Sequence, residues 1–187
     1  MTRKFFIITA LLILSSCVET VAVATFGTGY LISRDKSVES TVQDSLILTK
    51  ASKALFKNND NKKFSNITVS VYEGRVLLTG YSKNRDNVQD AIKLIWEIKN
   101  VQEVINEVSV DAKDRKKRHI LDLYLLTNIK SQIIWDKQLK AKDVNVSIYN
   151  GNIFILGKAE DEDKVKAVAE ISSAVKGVKK VTSHVKS

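Results

Sequence analysis

The sequence has few of the residues that catalytic and metal sites use most. Its 187 residues include one cysteine, Cys17, and two histidines, His119 and His184. A single cysteine has no partner for an internal disulfide bond, and neither histidine has an acidic or nucleophilic partner at a diagnostic spacing. The sequence also lacks a P-loop, a nucleophile elbow and a metal-binding motif. We therefore expect no enzymatic activity, no cofactor and no metal.

Long apolar segments are missing as well. The apolar run at residues 5–14 is shorter than the roughly 20 residues that a membrane-spanning helix needs. It follows Arg3 and Lys4 and ends in two serines and Cys17, the order found in bacterial lipoprotein signals. This order predicts a signal peptide at residues 1–16 and lipidation of Cys17. The alternative is that Cys17 is a small buried side chain in an uncleaved anchor.

Residues 17–40 contain scattered small, polar and apolar side chains with no sustained helical period. We predict that they form the lipidated N-terminus and a tether. No prediction follows on whether the early part of this tether lies on the membrane or on the first folded module.

One motif occurs twice in the remaining chain. Residues 69–74 read Val-Ser-Val-Tyr-Glu-Gly, and residues 146–151, which lie 77 positions later, read Val-Ser-Ile-Tyr-Asn-Gly. Two copies are too few for a solenoid, in which each repeat needs several neighbours. The repeat therefore predicts two tandem modules, at residues 41–111 and 120–187, separated by a basic linker at residues 112–119.

Each module has the pattern of an α+β fold in the order α-β-β-α-β. In the first module, Leu48, Ala51 and Leu55 recur at helical spacing, and we predict a helix at residues 41–56. Alternating apolar residues predict strands at 67–72 and 75–79, followed by a helix at 85–99 and a strand at 104–110. Two helices would then pack on one face of a three-stranded mixed sheet. The predicted structural turns contain Gly74, Gly80, Gly151 and Gly157.

The hairpin glycines, the glycine after the second strand and the Gly-Val-x-x-Val run at residues 177–181 resemble the BON domain. With the lipoprotein signal added, the chain is similar to the dual-BON outer-membrane lipoproteins of Gram-negative bacteria. The resemblance implies a non-enzymatic envelope protein, enriched at division sites, whose second BON domain binds anionic phospholipid and which supports outer-membrane integrity. Val18, where an aspartate would favour the inner membrane, implies a periplasm-facing anchor in the outer membrane.

Charge and aromatic residues both direct attention to the second module. The formal net charge is +9, and its excess lies in the linker and the second module. Tyr124 and Trp135 fall on a different side of the first helix of that module from Leu126, Ile129 and Ile133, which we expect to face the sheet. Tyrosine and tryptophan favour membrane interfaces, and the resemblance implies a lipid-contacting aromatic residue at the position of Tyr124. The predicted phospholipid-binding residues are Tyr124, Trp135, Leu121 and Lys130.

Alternatives exist for each of these signals. Surface lysines often serve only solubility, and the two aromatic side chains could pack against the first module instead. A structural adaptor that docks on an envelope protein, such as the machinery that assembles outer-membrane barrels, is a second hypothesis. Nucleic-acid binding is disfavoured by the export signal and by the lack of a Gly-x-x-Gly clamp or a strand with stacking aromatic residues.

Overall fold

The computed structural model describes residues 37–58, 60–110, 119–136, 139, 144–158 and 162–186. The predicted signal peptide, Cys17, residues 18–36 of the predicted tether and the basic run at 113–118 lie outside these residues. Residues 37–40, which were predicted to end the tether, are instead the start of the first helix. Residues 34–187 form one compact unit. In chain order its elements are α1 (Ser37–Lys57), a 3-10 turn (Asp60–Lys62), β1 (Ile67–Tyr72), β2 (Arg75–Ser82), α2 (Arg85–Trp96), β3 (Glu103–Val110), α3 (His119–Trp135), β4 (Val144–Tyr149), β5 (Asn152–Lys158), α4 (Glu162–Ala174) and β6 (Lys180–Lys186).

Both modules have the predicted order and the same mixed sheet. In the first module β1 and β2 form an antiparallel hairpin, and β3 runs parallel to β2 on its other side. In the second, β4, β5 and β6 repeat this arrangement. The parallel pair requires a crossover, which α2 and α4 provide. Each module is therefore an α+β unit with two helices packed on a three-stranded sheet.

The first hydrophobic core lies between α1, α2 and their sheet. Ile47, Ala51 and Leu55 of α1 are buried and recur every four residues, whereas Leu48 is exposed. The prediction that Leu48 belongs to the buried stripe is therefore wrong by one position, or about 100° of helix rotation. The rotation of α1 is fixed by Asp44, which lies one turn before Ile47. The carboxylate of Asp44 faces the β1–β2 turn.

That carboxylate accepts hydrogen bonds from the backbone of the turn. Asp44 Oδ2 and Oδ1 lie 2.6 Å from the N atom of Glu73 and 2.8 Å from that of Gly74. Both turn residues have positive φ, as a two-residue hairpin loop requires. Burial raises the pKa of Asp44 above its ordinary value, and the hydrogen bond from Gly74 partly opposes this shift. The turn thus attaches α1 to the sheet at a fixed point.

Two of the four predicted turn glycines do not lie in turns. Gly74 and Gly151 are in the hairpin loops, but Gly80 lies within β2 and Gly157 within β5, each paired to strands on both sides. The reason at Gly80 is a close approach of backbone, since a Cβ there would lie 1.9 Å from the carbonyl oxygen of Asn66. Its φ of +115° also excludes most other residues.

The two sheets pack against each other through the faces that do not carry helices. Val76 and Leu78 of β2 belong to the helix-facing core, and Leu77 between them points the other way. Leu77 meets Phe154 and Leu156 of β5 in a buried inter-sheet cluster, with Tyr72, Ile105 and Tyr149 packed around it. The layers are therefore helices, sheet, sheet, helices, and the modules form one body.

Polar contacts complete this interface. The guanidinium of Arg75 donates to the carbonyl oxygens of Gly157 (3.2 Å) and His184 (3.0 Å), and its Nε lies 2.7 Å from Glu103 Oε2. Lys158 Nζ lies 2.6 Å from Glu73 Oε1. The contacts of Arg75 with Gly157 and His184, and that of Lys158 with Glu73, join the two modules, whereas Glu103 belongs to the same module as Arg75.

One contact across the interface joins equivalent positions of the two modules. Glu107 and His184 occupy the same place in the two repeats, 77 positions apart, and their Oε1 and Nε2 atoms are 2.9 Å apart. In isologous dimers, contacts between equivalent positions of this kind occur near the two-fold axis.

We expect Arg75→Ala to lower the free energy of unfolding by about 2 to 3 kcal/mol, because hydrogen bonds to a buried charge are lost and two carbonyl groups lose their donor. Urea unfolding of residues 34–187 measures this change. Arg85→Ala, which removes an exposed arginine at the start of α2, should change stability by less than about 0.5 kcal/mol. Equal stability of the Arg75 variant and the parent would contradict the role assigned to this side chain.

Candidate functional site

Helix α3 has apolar residues on all its sides. Leu125, Ile129 and Ile133 form its buried stripe against β4, β5 and α4, with Leu126 partly buried beside them. Leu126 was predicted in this stripe, and Leu125, one position earlier, is the residue that is fully buried. A surface helix usually has polar residues opposite such a stripe, so the outward face of α3 is unusual.

The outward face carries large apolar side chains at both ends of the helix. We call it the α3 apolar face, and its members are Ile120, Leu121, Leu123, Tyr124, Ile134 and Trp135. Trp135 is 83% exposed and Tyr124 is 62% exposed, whereas Leu121 lies at the margin with 39%. Thr127 and Ser131, which are small and polar, lie between the two apolar ends. The side chains in the middle of this face are therefore smaller than those at its two ends.

The predicted aromatic residues lie on the same helix face and point away from the first module. The helix layer of the second module is on the far side of its sheet from the inter-sheet cluster. The alternative in which Tyr124 and Trp135 pack against the first module is therefore contradicted by their exposure. Sequence reasoning missed Ile120, Leu123 and Ile134, although apolar residues outside the helical spacing of the buried stripe were a visible signal that the helix has two apolar sides.

Charge is sparse on this helix. Lys130 is exposed and is the one lysine of α3, which contains no arginine. It lies about 120° around the helix from Tyr124 at 100° per residue. Lys130 is thus at the border of the α3 apolar face, and its long side chain can extend away from the apolar residues.

A second carboxylate clamp holds α3 in this orientation. Asp122 is buried, and its Oδ2 and Oδ1 atoms lie 2.6 Å and 2.8 Å from the backbone N atoms of Asn150 and Gly151. It thus repeats the contact of Asp44 in the first module. Neither aspartate was singled out from the sequence, although they precede their hairpins by nearly the same distance, 29 residues from Asp44 to Glu73 and 28 from Asp122 to Asn150.

The structure shows no arrangement for metal chemistry in the part of the chain that it describes. No group of three His, Cys, Asp or Glu side chains among these residues could hold a metal ion. His119 is exposed at the start of α3, and His184 is bonded to Glu107 between the sheets. Within the same residues, no helix combines the length and the apolar character needed to cross a membrane.

Comparison with known proteins agrees with the repeated fold. The model of the BON domain matches residues 43–112 and again residues 122–186. The chain belongs to the BON-domain family. Its two modules are BON domains, and each match covers a complete α-β-β-α-β unit except for the first residues of its first helix.

Relatives that align with most of the chain show which BON proteins it resembles. The chain is 31% identical over 172 residues to the outer membrane lipoprotein DolP of Haemophilus influenzae, a match that covers 92% of this chain and 89% of that protein. It is 34% identical over 146 residues to an uncharacterized protein of Anaplasma centrale encoded in the gshII 5' region, covering 78% of this chain and 95% of that protein. The chain is thus a dual-BON, DolP-like protein of the bacterial cell envelope.

Among solved structures, the C-terminal domain of CdsD, a structural protein of the type III secretion system of Chlamydia trachomatis, is 19% identical. The match covers 76% of this chain and 65% of that one with a TM-score of 0.30. A score at this level adds nothing about arrangement or function.

We expect Asp122→Ala to destabilise the second BON domain by about 1 to 3 kcal/mol, because the part-buried N–H groups of its hairpin lose their acceptor. Denaturant unfolding followed by circular dichroism measures the loss. Glu170→Ala, an exposed change on α4, is the control and should have little effect. A variant at Asp122 as stable as the parent would mean that the clamp does not hold α3.

Proposed function

We propose that this chain is a lipid-anchored protein of the outer membrane, facing the periplasm, that binds anionic phospholipid through the α3 apolar face of its second BON domain. It acts by binding rather than by catalysis, and it supports the integrity of the outer membrane, with enrichment at division sites. The observation that carries this proposal is the exposure of Tyr124 and Trp135 on the outward face of a helix that has large apolar side chains on both its buried and its outward sides.

Energetics favour a membrane interface for these side chains. Moving a large apolar side chain out of water is favourable by about 1.5 to 3 kcal/mol, and both aromatic residues also have a polar group that stays hydrated in the headgroup region. Two such anchors, each at the lower end of this range, correspond to about a 100-fold preference, since 1.4 kcal/mol is a factor of ten. The exposed aliphatic residues Ile120, Leu123 and Ile134 add to the area that would enter the interface.

The proposed anchor at Cys17 makes a modest affinity of α3 sufficient. Each buried methylene of an acyl chain contributes about 0.8 kcal/mol, so a chain with several acyl groups stays on its membrane. The BON domains would then be held near the bilayer at an effective concentration that is high for a short tether. In this arrangement α3 does not recruit the protein to the membrane but determines the orientation of the BON domains on it.

A protein partner is the second candidate for the same face. Tryptophan, tyrosine and branched aliphatic residues are also enriched at the centres of protein interfaces. An envelope protein, such as a component of the barrel-assembly machinery, would then cover the α3 apolar face, and contact with lipid would be incidental.

Vesicle binding of residues 34–187 separates these candidates. We expect binding that increases with the fraction of phosphatidylglycerol in phosphatidylcholine vesicles, measured by co-sedimentation at about 0.15 M salt, where long-range charge effects are screened. Tyr124→Ala with Trp135→Ala should lower the affinity by roughly 10- to 100-fold.

Tryptophan fluorescence supplies both a control and a local reporter. The chain has two tryptophans, Trp96 and Trp135, and Trp96 is an exposed residue of the first BON domain. Trp96→Phe should bind as the parent does, and the emission of its remaining Trp135 should shift to shorter wavelength on binding. Equal binding to neutral vesicles would contradict selection of anionic lipid, and no binding at all would favour the protein partner.

Lipidation of Cys17 has its own test. We expect cells fed an azide-tagged palmitate analogue to label the full-length chain, whereas Cys17→Ser should remain unlabelled and should leave the membrane fraction. Ser16→Ala is the matched control, because alanine is also small and should preserve processing. Labelling that persists in the Cys17 variant would exclude this cysteine as the lipidation site.

A further inference from the structure

The first BON domain also has an outward helix face with exposed apolar residues. Because Asp44 and Asp122 make the same contact, each residue of α1 corresponds to the residue of α3 that lies 78 positions later. Val42, Leu46 and Phe56 of α1 are all exposed, and their counterparts are Ile120, Tyr124 and Ile134. The two first helices thus leave the same three positions uncovered by their own domains.

Three lysines lie on the same face of α1. Lys50, Lys53 and Lys57 follow Leu46 at intervals of four, three and four residues, which places them on one side of the helix. All three are exposed, and none of them forms an ion pair with the described part of the chain. The corresponding positions of α3 are Asn128, Ser131 and Trp135, so the lysines belong to the first domain alone.

The net charge of the first module does not reveal these three lysines. The first module is close to neutral as a whole, but Glu39 is the one acid on the outward side of α1. The other acid, Asp44, is turned inward to the hairpin. A helix with apolar side chains and three unpaired lysines on one face is the pattern that lies on anionic membrane surfaces.

The layer order sets the direction of this face. Each pair of helices lies on the outer side of its own sheet, and the two sheets meet at the centre of the molecule. The outward faces of α1 and α3 therefore point to opposite sides. One flat bilayer cannot meet both faces of the same molecule.

We propose that the outward face of α1, formed by Val42, Leu46, Lys50, Lys53, Phe56 and Lys57, is a second docking surface for an anionic bilayer. It binds mainly by charge, whereas the α3 apolar face binds mainly by insertion, and the two surfaces point in opposite directions. The occupant is a lipid surface because the unpaired lysines need negative charge and the apolar residues beside them need an apolar layer. A bilayer of acidic lipids supplies both. The α1 surface does not depend on the α3 surface, so the two can fail separately.

The test uses residues 34–187 with the α3 face disabled by Tyr124→Ala and Trp135→Ala. At low salt we expect this protein to keep measurable binding to vesicles of phosphatidylglycerol and phosphatidylcholine. Adding Lys50→Gln, Lys53→Gln and Lys57→Gln should lower the affinity by roughly 10- to 100-fold, since each lysine near an anionic surface contributes about a factor of five. The remaining affinity should lose most of its salt dependence.

A matched control carries the same change of charge elsewhere in the first domain. Lys62→Gln, Lys83→Gln and Lys99→Gln remove three exposed lysines that are not on α1. An equal loss in this control would overturn the assignment to α1, and so would a lysine variant of α1 that binds as well as its parent. The absence of any low-salt binding in the α3-disabled protein would overturn it too. A parent protein that dimerises without lipid and becomes monomeric on Leu46→Gln would instead identify a self-association surface.

Vesicle clustering tests the opposed directions. With both faces intact, one molecule should join two vesicles, and light scattering should rise on addition of protein at low salt. The rise should be lost when either face is disabled, although binding by the other face remains. Tight binding without clustering would contradict the opposed arrangement, because a molecule with two outward lipid surfaces must cross-link vesicles.

Discussion

Both faces of the central strands β2 and β5 are buried, one under helices and one against the other sheet. This double burial limits where a functional surface of the protein can lie. Neither sheet offers a broad open face, so ligand contact is confined to strand edges, turns and the outer sides of the helices. Exposed apolar residues indeed concentrate on the two first helices, α1 and α3.

The inter-sheet packing also explains why two domains of about 70 residues form one body. A small domain buries only about 60% of the surface of its unfolded chain, and joining two sheets removes further apolar surface from water. Arg75 then satisfies carbonyl groups of the other domain across the junction. Without this junction, the sheet face that contains Leu77 would be an exposed apolar patch of the kind that promotes association.

The two copies of the fold have kept their frame and changed their outer surface. Asp44 and Asp122 make the same hydrogen bonds to equivalent hairpins, and the helices they hold expose apolar residues at equivalent positions. Around those positions α1 has three lysines, whereas α3 has polar residues and Trp135. Charge acts over about a Debye length and weakens with salt, but insertion acts at contact and does not. Two copies of the same fold with different outer residues thus give one chain two surfaces that respond differently to salt.

Local interactions explain what the sequence determined by itself. Alternation of apolar residues, the positive φ that Glu73-Gly74 and Asn150-Gly151 adopt, and the helical spacing of apolar residues specify elements within short stretches, and the order α-β-β-α-β follows from them. The exposure of Tyr124 and Trp135 was also accessible, because it depends on the angle around a single helix. Only the tertiary structure decided the remainder. Whether Ile47 or Leu48 faces the core depends on Asp44 meeting a hairpin 29 residues away, and the opposite directions of α1 and α3 depend on contacts between sheets of different domains. Such long-range contacts leave no periodicity in the sequence. Each of the two surfaces could equally be exposed to solvent, and only the folded structure shows that they meet.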